Sequence, residues 1–404
     1  MIMLNSLGHV EKKVIGNISE NKVIDLAQKM IQIDSQNPPG NEKEFAEFIY
    51  GILKDMELKV KFLDFLPNRP NLVGLYELNT NGKTLLFDGH LDTVPIGDPT
   101  LWSVEPLGGI IKEGCLYGRG SVDMKGSISA FICALQSVLN SNVTLNGKII
   151  ILLTSDEEIS GLGTKKVLEK GYYANAAIVG EPSDLEVNIA HKGVARWKLT
   201  VFGKSTHAST PHEGVNAIYK MAKVLIGLEK LHNTYISGVK RHRILGTPTL
   251  SVGIIRGGVK DNIVPDMCEI TIDRRLIPGE KVKDVEEELK SILFEISSQD
   301  PTFNYKLSLY HVHEPAETSP EEPFVKLAKK VVKEVTGKES IVEGFVATTE
   351  MNHLTEVGIP SIILGCGNIK MAHAINENVP IQQIIDLTKI YTLIILRYIG
   401  KYEL

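Results

Sequence analysis

The sequence predicts an α/β chain with a mainly parallel sheet, interrupted by a smaller inserted domain of the ferredoxin-like α+β type. Three observations predict it. Short apolar runs alternate with helical spacings from the N-terminal part onward. Near residue 187 the pattern changes to strict apolar–polar alternation, and after residue 312 helix and buried-strand signals return. Strands buried on both faces read as continuous apolar stretches, whereas a strand with one wet face alternates.

The elements follow in order. Phe45, Phe48, Ile49, Ile52 and Leu53 keep helical spacing. TLLFDGHLDTVP (84–95) begins apolar and ends in polar residues and a proline, as a buried strand does when its C-terminal end meets a ligand. Ile128, Phe131, Ile132, Leu135, Val138 and Leu139 mark a helix, and KIIILLT (148–154) and AAIVG (176–180) are further central strands. In ARWKLTVFG (195–203), Trp197, Leu199 and Val201 share one face while Arg196, Lys198 and Thr200 share the other. A helix carrying Ala217, Met221, Val224, Leu225 and Leu228 comes next. Strands at 249–256 and 267–273, a helix at 281–297 and a strand at 303–310 complete the set. This β-α-β-β-α-β order is the split-βαβ arrangement. Helix signals at 324–335 and PSIILG (360–365) then return to the larger domain. The expected domains are 1–186 with 313–404, and the insertion 187–312.

Composition narrows the function classes. At 404 residues and 43% hydrophobic, the chain has material for more than one core, on a prior of about 100–200 residues per domain. The net charge of −5 comes without a basic block, so nucleic acid is not an expected partner. Cys115, Cys133, Cys268 and Cys366 are far apart and form no CxxC pair. That fits neither a disulfide framework nor a thiolate zinc site, and it fits a reducing cytosol. MIMLNSLGHVEKKV lacks the apolar run and cleavage site of a leader, and no apolar stretch is expected to reach the roughly 18–20 residues that span a bilayer. A soluble cytoplasmic protein with no membrane contact is the expectation.

His, Asp and Glu recur where local structure has no use for them. His90 and Asp92 form H-x-D at a strand end; Asp123 lies in GRGSVDMKG between a glycine turn and a helix; Glu157 and Glu158 follow KIIILLT; Glu181 follows AAIVG; His373 lies in MAHAINENVP. Open α/β sheets place ligands beyond such strand ends. Two imidazoles with several carboxylates suit Zn, Co or Mn. One carboxylate can bridge two ions, and another must stay free to take a proton from water. Adjacent Glu157 and Glu158 on extended backbone would point apart, so one could ligate and the other act as base if the strand end turns. In H-x-D, a carboxylate can hold the far nitrogen of a ligating imidazole. Singly, each residue reads as a cap or solvated turn; only their convergence carries weight.

HLDTVP, YGRGSVDMKGSISA, TSDEEISGLGT, VGEPSDL, GKSTHAS and MAHAINE together resemble the M20 metallopeptidase family, in order, from about residue 25 onward. That family includes acetylornithine deacetylase, succinyl-diaminopimelate desuccinylase, aminoacylase-1 and glutamate carboxypeptidases. The resemblance implies a di-metal catalytic domain and an inserted dimerisation (lid) domain in a homodimer. It implies that His90 and Glu181 bind one zinc, that Glu158 and His373 bind the other, and that Asp123 bridges them. Glu157 would be the general base and then the acid, and Asp92 would orient His90. His207 in GKSTHAS would reach from a partner subunit to polarise the scissile carbonyl. Asn262 in DNIVP and Arg275 in DRRLIPG would bind the substrate's oxygen and carboxylate. Arg275 is favoured over Arg274 by the family's Asp-x-Arg spacing from Asp273.

The sequence departs from the family at TTEMNHL (348–354), where many desuccinylases carry G-T-D-A-R. Glu350 stands for the Asp and Asn352 for the Arg, which points away from succinyl groups and toward the acetylornithine deacetylase side. The expected activity is hydrolysis of an amide beside a carboxylate, in an N-acyl amino acid. A dipeptidase or carboxypeptidase with the same metals is the alternative, and a non-catalytic binding protein on this fold is the alternative of another class.

Overall fold

The computed structural model describes residues 7–401 except 78–80, 142, 237, 239 and 340–342. Two compact units form: Met1–Ile189 with Thr318–Glu343 and Thr349–Leu404, and Ala190–Glu317 with Gly344–Thr348. In chain order, the strands used below are β1 (Lys59–Leu66), β2 (Arg69–Glu77), β3 (Lys83–His90), β4 (Gly147–Thr154), β5 (Ala176–Val179), β6 (Gly193–Phe202), β7 (Thr249–Gly257), β8 (Met267–Leu276), β9 (Asn304–His313) and β10 (Ser361–Ile363). The helices are α1 (Glu42–Asp55), α2 (Gly126–Leu139), α3 (Ala217–Leu231), α4 (Val282–Gln299), α5 (Pro323–Thr336) and α6 (Ile381–Ile399).

In the first unit the strands lie in the order β1-β2-β4-β3-β5-β10. The pairs β4–β3, β3–β5 and β5–β10 are parallel. β1–β2 and β2–β4 are antiparallel, and β10 also pairs antiparallel with Asn188–His191. The mainly parallel expectation is therefore corrected to a mixed sheet, parallel at its centre and antiparallel at its flanks. The cause is local. Only Pro67 and Asn68, the latter at φ 59°, separate β1 from β2, and strands joined so tightly can only run antiparallel.

Helices cover the parallel centre. Phe87 of β3 stacks on Phe131 of α2 with centroids 4.2 Å apart, and Tyr391 of α6 meets both rings edge-on. The Tyr391 hydroxyl donates to the Leu364 carbonyl at 2.5 Å, so this buried polar group is satisfied. One sequence expectation needs amending here: Ser121–Leu139 is long and apolar enough to cross a membrane, yet 89% of it is buried within this core. With α2 holding the sheet from one side, the C-terminal ends of β3, β4 and β5 stand together. His90 is opposite Thr154, and Asp88 is opposite Val179.

The second unit is a four-stranded antiparallel sheet in the order β7-β8-β6-β9. Trp197, Leu199 and Val201 of β6 and Ile270 and Ile272 of β8 pack against Met221 and Val224 of α3 and Leu289 and Leu293 of α4. The alternation read along 195–203 is thus one face on the helices and one face on water. This unit starts and ends a few residues later than the expected 187–312 and adds Gly344–Thr348.

Candidate metal centre

β3, β4 and β5 deliver His90, the turn after Thr154, and Glu181 to one place. The segment after Gly120 (φ 85°) contributes Asp123, and the loop after α5 and β10 contributes His373. His90 Nε2 lies 2.8 Å from Asp123 Oδ1 and 3.6 Å from Glu181 Oε1. His373 Nε2 lies 3.1 Å from Asp123 Oδ2 and 3.1 Å from Glu158 Oε2. The two oxygens of Asp123 therefore face two different imidazoles. Donor atoms of His90, Asp123 and Glu158 lie within 4.8 Å of one another, as do those of His90, Glu157 and Glu181.

Both glutamates turn inward because the backbone is no longer extended there. β4 ends at Thr154, and Asp156 takes φ 70°. Asp92 holds this turn: its carboxylate accepts the N–H groups of Glu157 at 3.1 Å and Glu158 at 3.2 Å, and Asn37 Nδ2 at 2.8 Å. The expected link to His90 runs differently. His90 Nδ1 meets the main-chain carbonyl of Asp92 at 2.8 Å, while the nearer carboxylate oxygen is 3.8 Å away. Asp92 thus fixes His90 through its main chain and the glutamate turn through its side chain.

Charge in the cluster is unbalanced. Burial, then neighbouring carboxylates, pushes Glu157 and Glu181 well above the usual range, and Glu158 is raised by burial and by Asp123. Burial also opposes the Asp123 charge, but hydrogen bonds from His373 and His90 outweigh it and lower its pKa. His90 is raised well above its ordinary value despite burial, by its bond to Asp123 and the charges of Asp123, Glu181 and Glu157. Hydrogen bonds to Asp123 and Glu158 lift His373 to about 10. Glu158 Oε1 is buried without a hydrogen-bond partner. Crowded buried acids, two imidazoles and an orphaned carboxylate oxygen form a donor set that suits borderline divalent cations.

His373 must lose its proton to ligate. Metal uptake at pH 7 is therefore expected to release about one proton from this side chain, and apparent affinity should rise with pH up to about 10. The same raised pKa stabilises the metal-free fold. That contribution is complete below the unfolded imidazole value of about 6.5 and is lost as pH rises through about 10. A pH-stat titration with zinc checks the release; uptake without it would put His373 outside the ligand set.

The remaining predicted residues belong to the second unit. His207 is exposed, with Nδ1 2.7 Å from Ser209 Oγ, and its neighbour Ala208 donates to the carbonyl of exposed Asn262 at 3.1 Å. Arg275 is half-buried and donates to Asp273 at 2.8 Å. Arg274 is fully buried and bound to Glu280 at 2.6 Å, so of the two arginines only Arg275 offers its guanidinium to solvent. In the first unit, Glu350 and Asn352 are buried; Glu350 accepts from Thr154 Oγ1 at 2.8 Å, and its charge adds to the elevation of Glu157 and Glu181. The sequence marks this segment only as a departure from the desuccinylase motif. It also gives no role to Asn37, Arg119, Asp156 or Glu377, although Arg119 and Glu377 lie inside GRGSVDMKG and MAHAINENVP.

The model of Peptidase family M20/M25/M40 matches residues 86–397. The N-formyl-4-amino-5-aminomethyl-2-methylpyrimidine deformylase of Halalkalibacterium halodurans is 26% identical over 94% of this chain and 95% of its own length. Acetylornithine deacetylase of Myxococcus xanthus is 31% identical over 80% of this chain and 83% of its own. Among solved structures, an M20 family metallo-carboxypeptidase from Sulfolobus solfataricus aligns with a TM-score of 0.79 at 22% identity, covering 93% of this chain and 99% of that one.

Proposed function

The chain belongs to peptidase family M20/M25/M40, and from that premise we propose that it is a two-metal deacylase of N-acyl amino acids. The coarser statement, a metal-dependent hydrolase of amide bonds, follows from the family and its deacetylase relatives. One observation supports the two-metal part of this reading: the Asp123 carboxylate presents one oxygen to His90 and the other to His373; the N-acyl amino acid part rests on the likeness to acetylornithine deacetylase. In this reading His90 and Glu181 would hold one ion, His373 and Glu158 would hold the other, and Asp123 would be shared between them. Zinc suits the donors best, with cobalt or manganese as substitutes. When bound, the ions polarise the scissile carbonyl and make water acidic enough to attack near neutral pH.

Glu157 takes the proton from the attacking water and returns it to the leaving amine. Asp92 keeps Glu157 on station through the main-chain bond. His207 and Asn262 would contribute donors to the developing oxyanion, and Arg275 would bind the substrate carboxylate. We place His207 in the site of a second copy, in a homodimer joined through the second unit, whose edge strand β7 exposes Ile254 and Ile255. The free state of Cys115, Cys133, Cys268 and Cys366 supports a reducing, cytoplasmic location.

A second reading has support from the relatives. The deformylase match spans nearly all of both chains, and its substrate by name is an N-formyl aminomethylpyrimidine. The test strips the protein with chelator, restores zinc, cobalt or manganese, and assays N-acetyl, N-succinyl and N-formyl amino acids, the N-formyl aminomethylpyrimidine and free dipeptides. Metal-restored cleavage of N-acyl amino acids is expected. Cleavage confined to the pyrimidine selects the second reading, and cleavage of dipeptides alone overturns both.

A further inference from the structure

We infer that Arg119 and Glu377 form a positioning pair that sets the His373 side of the metal centre by holding the main chains of Asp123 and His373 together. The inference rests on the metal-centre reading above and concerns how that centre is built. His90 and Glu181 follow strands whose ladder hydrogen bonds already fix them. Asp123 and His373 come from irregular segments and have no such ladder of their own.

Glu377 is fully buried and is used at both oxygens. Oε1 accepts the N–H groups of Val122 at 2.8 Å and Asp123 at 3.2 Å, and Oε2 accepts Arg119 Nη1 at 2.5 Å. Arg119 is 2% exposed, and its two Nη groups also reach three carbonyls, while Nε is left without a partner. The carbonyls are those of Ala374 at 3.3 Å and His373 at 3.3 Å on one loop, and Pro95 at 3.2 Å on the loop that follows His90. The Trp102 ring lies 5.4 Å from the guanidinium. The two segments are kept in register by the pairing of Asn378 with Tyr117 and Val379 with Leu116, and by the Gly118 N–H on the Glu377 carbonyl at 2.9 Å.

His373 shows why a clamp is needed. It sits at φ 63°, a left-handed conformation that a residue with a Cβ adopts only when its surroundings impose it. The carbonyl of that strained residue is one that Arg119 holds. A planar guanidinium with five donors can serve a carboxylate and three carbonyls at once; an ammonium cannot. One buried ion pair therefore grips the main chain of the bridging residue on one side and that of an imidazole ligand on the other.

The experiment uses the full chain. Dissociation constants for the two zinc equivalents are measured by chelator competition in the wild type, R119K, E377Q, E377D and the control R397K, beside thermal melting and the absorption spectra of the cobalt-loaded proteins. Arg397 forms a comparable ion pair with buried Glu11, away from the metal-centre residues. R119K, which loosens the His373 loop, is expected to weaken the second equivalent by about 10–100-fold while the first stays near the wild-type value, and E377Q, which also loosens the bridging Asp123, to weaken both, each with a changed cobalt spectrum. R397K should keep both equivalents whatever happens to its melting temperature. Should E377Q fail to fold, E377D tests the same oxygens with charge retained and is expected to fall between E377Q and the wild type. Wild-type affinities for both equivalents in folded R119K and E377Q would overturn the positioning role. A wild-type chain that binds fewer than two equivalents would overturn the metal-centre reading, and the positioning pair with it.

Discussion

Glu157→Gln will keep its metal and lose turnover by about 10²–10⁴-fold, the range that a positioned acid–base group supplies. The substitution preserves shape and removes the charge together with the ability to accept a proton. The turn should not move, because the Glu157 N–H is held by Asp92 and the side chain at 157 is not what anchors it. Glu157 is also half-buried among acids that repel one another, so neutralising it relieves crowding among Glu181, Glu158 and Glu350. Metal content and melting temperature should therefore match or exceed the wild type while kcat collapses and KM changes little. Near-normal kcat in a metal-replete variant would remove Glu157 from the base role and leave the ligand set untouched.

Asp123→Ala is expected to abolish binding at both metal equivalents and to take activity below detection. The side chain offers one oxygen toward each imidazole, so its loss is felt on both sides of the centre. It also removes the main hydrogen-bond partner that raises His90 and the first of the two that raise His373. The two histidines should then titrate nearer their ordinary value, which NMR of the metal-free variant can read. The contrast with chelation is the control. A stripped wild-type chain should regain activity when zinc is returned, and the variant should not. A variant that still takes up two equivalents would show that Asp123 is not shared between them.

Much of this centre could be read from sequence because its residues follow strong local signals. His90, Glu158 and Glu181 come just after apolar runs, where the sheet must end and a ligand can sit. Asp123 follows glycines whose positive φ values make the turn before α2. What was not legible depended on contacts far apart in the chain or on backbone geometry. Arg119 and Glu377 are 258 residues apart, and no spacing rule joins them. The convergence of Glu157 and Glu158 required Asp156 at φ 70°, which composition does not announce. The antiparallel flank turned on Pro67 and Asn68, a short connection given no weight beside the stronger alternation of helices and strands. The burial of Glu350 and Asn352 could not be seen from a motif that only marked them as different.

The discontinuous first unit has a consequence for synthesis. Its sheet centre is encoded before residue 190, yet β10 and His373 are encoded only after the whole of the second unit. As the polypeptide leaves the ribosome, β5 must wait for its outer neighbour β10, separated from it by well over a hundred residues. During that interval His90, Asp123, Glu157, Glu158 and Glu181 have been made and the second imidazole has not. Completion of the proposed metal centre is therefore among the last events of maturation, and the nascent chain passes through a stage in which its acids have been made before the histidine that faces them.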